Sequence, residues 1–470
     1  MEKKSKYEKL VLKEKSAWLL MKEDEKKGLE KLSREYLDFL NQCKTERECV
    51  SYFYEAAVKK GFTEVKDFLS SGSVKPGRKI VSTNRNKNII LTVVGKRPME
   101  EGLNIICAHM DSPRLDLKQN PLYEDTNLVF LKTHYYGGIK KFHWLNIPLA
   151  IHGRIVKING ETIDLKLGEK EEDPVFLIPD LLPHLSKKLS EKTVTDAFQA
   201  ENLNLVMGHI PVDEDEKEAV KINILKMLNE QYGFDEKDFN SAELEIVPSL
   251  KAREAGFDRS FIAGYGQDDR ISSFLAFQAL MNTEQPDRTS VVLLIDKEEV
   301  GSEGNSSIQS KFFELFISDL LEKTGKEYSE KVLKKTLYNS YAISADVDSA
   351  FDPNYKDVFD IRNTSKIGYG LVLVKYTGHG GKYGASDANA EYMARIRKLL
   401  TDHQVIFQFG SIGKIDEGGG GTISKFLASY GMEIVDAGTP VLGMHSPYEL
   451  TSKADLHEAL KAFTVFFSKM

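Results

Sequence analysis

The chain has 470 residues and a formal net charge of −7, a length that exceeds one ordinary hydrophobic core and predicts two domains. The mild acidity excludes a general attraction to nucleic acid or to anionic membranes. Three cysteines (Cys43, Cys49 and Cys107) are too few for a disulfide framework, and no apolar run approaches the roughly 20 residues of a membrane helix, so a cytoplasmic location is expected.

The first 70 residues carry helical periodicity. Leu32, Tyr36, Phe39 and Leu40 fall on one face, and Tyr52, Phe53, Ala56 and Ala57 form a second stripe, so two or three helices are expected here. Strand-like runs follow at 79–81 and 88–94. The short apolar run 103–108 reads as a buried strand that stops at His109. From 119 to 246 the texture changes. Ile155–Ile158, the turn Asn159-Gly160 and Thr162–Leu165 make a hairpin signal, and charged, turn-prone stretches such as 211–217 surround it. This predicts an inserted, mostly β domain within a discontinuous domain of residues 1–118 and 247–470.

After 247 the buried-strand pattern returns at 290–295, 342–345, 404–408 and 440–444. Helical stretches at 270–280 and 388–400 lie between these runs. Apolar strands alternating with helices predict an α/β fold with a mixed, mainly parallel sheet flanked by helices.

Polar clusters close four of these strands. They are His109-Met110-Asp111, Asp296-Lys297-Glu298-Glu299, Asp346-Val347-Asp348 and His445-Ser446-Pro447, and Gln267-Asp268-Asp269-Arg270 precedes a helix. Each alone has an ordinary explanation: a satisfied histidine, a solvated helix start, an N-cap or a turn. Together they would meet at the carboxyl ends of the strands, where sites form in open α/β sheets. Imidazoles and carboxylates are ligands for Zn, Mn or Co. Two histidines with three or four carboxylates exceed the needs of one zinc and suit two ions sharing a carboxylate. Residue type alone does not separate Asp268 from Asp269.

The segments AHMDSPRLDLK, GYGQDDR, DKEEVGSEG, SADVDSAFDPNY and GMHSPYEL, in this order, resemble the metal-site motifs of the aspartyl aminopeptidase and vacuolar aminopeptidase I family. The resemblance implies a zinc exopeptidase-like fold and a dinuclear metallo-aminopeptidase with two divalent ions per subunit, zinc first and Mn or Co as alternatives. It implies His109, Asp268, Glu299, Asp346 and His445 as ligands, with Asp268 bridging, Asp111 behind His109, and Glu298 as general base. It also implies peptide substrates and a large homo-oligomer, a dodecamer built from dimers, with the inserted domain making subunit contacts. His184 is the candidate to reach a neighbour's site. Lys375 and Lys382 are candidates to meet a substrate carboxylate. GGKYGASDANAEY and the glycines Gly418–Gly421 resemble the family's pocket segments. An acidic or a neutral, hydrophobic N-terminal residue both remain open as substrate. A carboxypeptidase or amidase on the same scaffold, or a catalytically dead binding homologue, are the competing functions.

Overall fold

The computed structural model describes residue 7 and residues 10–70, 74–213, 217–323 and 328–470, so 214–216 of the charged stretch lie outside the described residues. Its largest sheet has nine strands. At its centre Ser290–Ile295, Asn104–His109, Tyr341–Ser344 and Glu433–Gly438 run parallel. Asn88–Val93 and Leu371–Val374 flank this group antiparallel.

Every residue of Asn88–Val93, Asn104–His109 and Ser290–Ile295 is buried, so both faces of the sheet must be covered. The two-residue period of a strand divides the side chains between those faces. Ile106, Ala108, Val292 and Leu294 join the core under helices Glu23–Gln42, Glu46–Lys59, Gln267–Met281 and Lys453–Lys469. Ile105, Cys107, Val291 and Leu293 join the opposite core, under Phe312–Lys323 and Glu330–Tyr338. Phe39, from the stripe read in the first helix pattern, is fully buried among Tyr52, Phe53 and Phe274.

A second sheet of six strands is antiparallel throughout. Its strands lie between Arg114 and Pro248, and it has its own core around Trp144, Leu149 and Phe234. The hairpin signal is found there, with Val156 opposite Thr162. Among the described residues no helix is long and apolar enough to cross a membrane.

Pro440–Leu442, expected among the strands of the main sheet, instead joins a separate five-stranded sheet with Asp348–Ser349 and Glu449–Ser452. Two strands missed in the sequence, Leu371–Val374 and Glu433–Gly438, occupy the main sheet instead. Tyr341–Ser344 pairs with Glu433–Gly438 in the main sheet, and Asp348–Ser349 then pairs with Pro440–Leu442 in the other. The chain forks between the two sheets, and Asp346 lies at that fork.

Phe39→Ala removes the centre of the aromatic cluster and is expected to cost about 3–5 kcal/mol. Urea unfolding checks this through the fall in midpoint; an unchanged midpoint contradicts the packing.

Candidate metal centre

His109 ends its parallel strand, and its ring is fixed from behind. Nδ1 lies 3.0 Å from the Asp111 carbonyl and 3.3 Å from Asp111 Oδ1. This leaves Nε2 facing forward, 3.2 Å from Asp268 Oδ1 and 3.8 Å from Asp346 Oδ1. The Asp111 carboxylate does more than orient the histidine. It accepts the backbone N–H groups of Glu298 and Glu299, each at 3.2 Å, and the Tyr136 hydroxyl at 2.8 Å. One buried side chain therefore positions the histidine and both glutamates.

Asp268 and Asp269 stand at the start of helix Gln267–Met281, with non-helical backbone angles and a cis bond between them. The turn before them needs Gly266: its φ is +70°, and a Cβ there would meet the buried Arg270 guanidinium at 1.6 Å. The two aspartates separate in role. Asp268 turns Oδ1 to His109 and Oδ2 to His445 Nε2 at 3.1 Å. Asp269 instead turns inward and accepts the His109 backbone N–H at 3.4 Å.

His445 arrives from the other sheet. Its Nδ1 is 2.9 Å from the Gly138 carbonyl and its Nε2 is 3.4 Å from Glu299 Oε1. Glu449, four residues on, ties the two sides together. Its carboxylate accepts the backbone N–H groups of Gln267, Asp268 and His445 at 2.5, 3.2 and 2.8 Å.

The donor atoms thus form overlapping groups within 4.8 Å. One is His109, Asp268 and Asp346; another is Asp268, Glu299 and His445; a third is His109, Glu298 and Glu299. Asp268 belongs to the first two. All of these except His109 border a cavity of about 300 Å³, also lined by Val374, Tyr376, Lys382 and Gly418–Gly421. Lys382 is on its wall, whereas Lys375 is not among the lining residues. His184 is exposed on the turn Pro183–Leu185 and does not line this cavity. Tyr136, Gly138 and Glu449 were missed from sequence. The only local signal was a glutamate inside the quoted GMHSPYEL segment.

Burial makes this acidic cluster expensive. It raises Glu298 to about 8; His109 opposes the rise, and Asp346 and Asp111 add to it. Burial and neighbouring Asp268 hold Glu299 well above the usual carboxylate range. Asp268 is the exception. Burial pushes it up, but its bonds to His109 and His445 outweigh that and hold it low.

A model of the family described as "Aminopeptidase I zinc metalloprotease (M18)" matches residues 39–467. The chain belongs to this family. A probable M18 family aminopeptidase 1 of Clostridium acetobutylicum is 48% identical over 461 residues, covering 97% of this chain and 99% of the relative. The crystal structure of an M18 aminopeptidase from Thermotoga maritima is 46% identical, covers 98% of this chain and 100% of that one, and has a TM-score of 0.94. That of aminopeptidase I from Clostridium acetobutylicum superposes with a TM-score of 0.91 at 46% identity, over 98% of this chain and all of that one. The M18 chain described here is accordingly a metal-dependent aminopeptidase, a hydrolase of peptides, and zinc is its family's metal.

The donor set fits zinc. It offers imidazole nitrogen and carboxylate oxygen, and Glu299 Oε1 is buried with no hydrogen-bond partner. Such an oxygen, 3.4 Å from the nearest imidazole nitrogen, is what a cation would satisfy.

The raised groups set a pH dependence. Glu298 and Glu449 near 8, and Asp296 and Asp436 near 7, bind protons more tightly folded than unfolded. Their contribution to stability is full below about pH 4 and lost as pH rises through 7 to 8. His445, raised to about 10, has the same sign: its contribution is full below about pH 6.5 and fades above that. The EDTA-treated protein should melt at lower temperature as pH rises from 6 to 8.5. Zinc should restore more at 8.5 than at 6, because ions favour the deprotonated cluster. A melting profile indifferent to zinc at both pH values contradicts this account.

Proposed function

We propose that this enzyme removes single N-terminal residues from peptides using two divalent ions, with zinc preferred and Mn or Co as alternatives. His109, Asp268 and Asp346 would hold one ion, and Asp268, Glu299 and His445 the other. The observation that carries this reading is Asp268, which presents one oxygen to each of two histidines from different sheets. When bound, such an ion pair supplies Lewis acidity toward water and toward the peptide carbonyl.

The chain's own residues do the rest. Glu298 stands beside Glu299 at the cavity wall and within reach of His109, and its carboxylate is not needed to complete either of the two groups that share Asp268. Burial and its acidic neighbours raise its proton affinity, and cations bound beside it would lower it again, leaving a carboxylate that can take and return a proton near neutral pH. It takes the proton of the attacking water and passes it to the leaving amine as the C–N bond breaks. The substrate's free α-amino group pairs with the acidic cluster, which confines cutting to the chain end. The carboxyl-end location, the buried acidic excess and the family all support this reading over a dead scaffold.

The same proposal covers the domain organisation. Residues 1–118 and 247–470 form the catalytic domain, and 119–246 the inserted oligomerisation domain of a large homo-oligomer, a dodecamer built from dimers. Exposed Leu181, Leu182 and Leu185 supply apolar surface around His184, in keeping with a subunit contact there.

Glu298→Gln should retain zinc and lose about 10²–10⁴-fold in turnover. Metal content together with leucyl-peptide hydrolysis checks this; wild-type turnover in the variant would remove Glu298 as the base. An N-acetylated peptide should not be cut. Cleavage of such a blocked peptide favours the amidase or carboxypeptidase alternative.

A further inference from the structure

On the aminopeptidase reading, the side chain of the substrate's N-terminal residue also needs a place to bind. With the substrate's amine and first carbonyl at the acidic cluster, that side chain must enter the remainder of the same cavity. Its walls there combine apolar side chains, including Val347, Val374, Tyr376, Ile412 and Met444, with glycines and polar groups such as Thr377, His379 and Thr422. Among the described residues that line it, the lysines are Lys382 and Lys414.

Neither lysine is left to face the cavity alone. Lys414 donates its Nζ to the Asp357 carbonyl at 2.5 Å. Lys382 extends over the Tyr376 ring, 3.9 Å from its centroid, and places Nζ 2.7 Å from Asp387 Oδ2. The other oxygen of Asp387 accepts Lys375 Nζ at 2.5 Å. Asp387 is brought there by the closure of its loop: the Ala388 N–H donates to the Lys375 carbonyl at 2.8 Å, and Ala385 N–H to the Lys382 carbonyl at 3.2 Å. One carboxylate thus holds two lysines of one loop. Deeper in the cavity lie Asp348 and Asp436, each buried and each accepting hydroxyls, from Ser365 and from Thr422 and Ser424.

We propose that Asp387 is a specificity-determining residue: by occupying Lys382, it withholds the cation that an acidic N-terminal side chain would need, and so selects neutral and apolar N-terminal residues. An incoming glutamyl side chain finds the Lys382 ammonium held by Asp387, the Lys414 ammonium held on a backbone carbonyl, and the carboxyl groups of Asp348 and Asp436 in the same wall. To gain a cation there, it must compete with Asp387 for the Lys382 ammonium. A leucyl side chain meets Val347, Val374 and Met444 and needs no partner. Selectivity of this kind comes from a built-in penalty against the wrong substrate as much as from attraction to the right one. Asp387 acts through Lys382, so it is a positioning residue for specificity and not a catalytic one.

The test uses the zinc-loaded full chain with leucyl and glutamyl p-nitroanilides, comparing kcat/KM within each variant so that a general loss of activity cancels. Wild type should favour leucyl. Asp387→Asn keeps the side chain's shape and frees Lys382, and should raise the glutamyl-to-leucyl ratio about tenfold. The gain should vanish in Asp387→Asn/Lys382→Met, and it should shrink at about 1 M salt, where charge is screened within about 3 Å. A purely structural role for Asp387 would move neither the ratio nor its salt dependence. A wild-type preference for glutamyl, or a ratio in Asp387→Asn within about twofold of wild type, overturns the inference while leaving the aminopeptidase reading in place. Failure of wild type to cleave either substrate overturns both.

Discussion

The Asp268 carboxylate lies buried between two imidazoles from different sheets, and much of the surrounding polar structure serves to hold it there. Glu449 accepts its backbone N–H and those of Gln267 and His445. Ser112 donates to its carbonyl at 2.7 Å. Arg270 folds back on the Tyr265 and Gly266 carbonyls at 2.6 and 3.1 Å and stiffens the turn that delivers it. Asp111 does the same service for His109, Glu298 and Glu299. These outer contacts matter because a ligand set works only when its members are held at fixed separation before the ion arrives.

The electrostatic cost of the arrangement explains its chemistry. Glu298, Glu299, Asp269 and Asp346 all have carboxyls held above their usual range, with burial the first cause in each. A fold does not gather so many acids in a dry crevice for stability alone. Cations bound among them would relieve the repulsion and turn the same cost into affinity for metal. The fork between the sheets at Asp346 supplies the crevice. At that fork the ladder breaks, so the backbone splays apart and side chains from both sheets can face one another.

Much of the site was legible in the sequence because the signal was local. His109, Glu298, Glu299 and Asp346 each follow an apolar run that reads as a buried strand, and the structure brings them together with Asp268 and His445. Asp111 was implied as the partner of His109 by the family resemblance, but its grip on Glu298 and Glu299 was not legible, because that pairing spans 187 positions. Glu449 was hidden for the same reason, acting on Gln267 across 182 positions. Asp268 and Asp269 could not be told apart by type; only the backbone turn sends one between the histidines and the other inward. The strand Glu433–Gly438 was obscured by its charged first residue and its internal Asp436. Pro440–Leu442 was misplaced because an apolar run does not say which of two sheets it enters. Lys375 and Lys382 read as cations for a substrate; Asp387, twelve and five positions away, had no visible claim on them until the loop closed.

The central claim is that Asp268 is shared between two ions. Anomalous diffraction at the zinc edge from crystals of the zinc-loaded protein tests it most directly. The account predicts two strong peaks, one on each side of the Asp268 carboxylate and about 3.5–4 Å apart, one near His109 and Asp346 and the other near Glu299 and His445. A single peak, or a pair that leaves Asp268 uncoordinated, would contradict it.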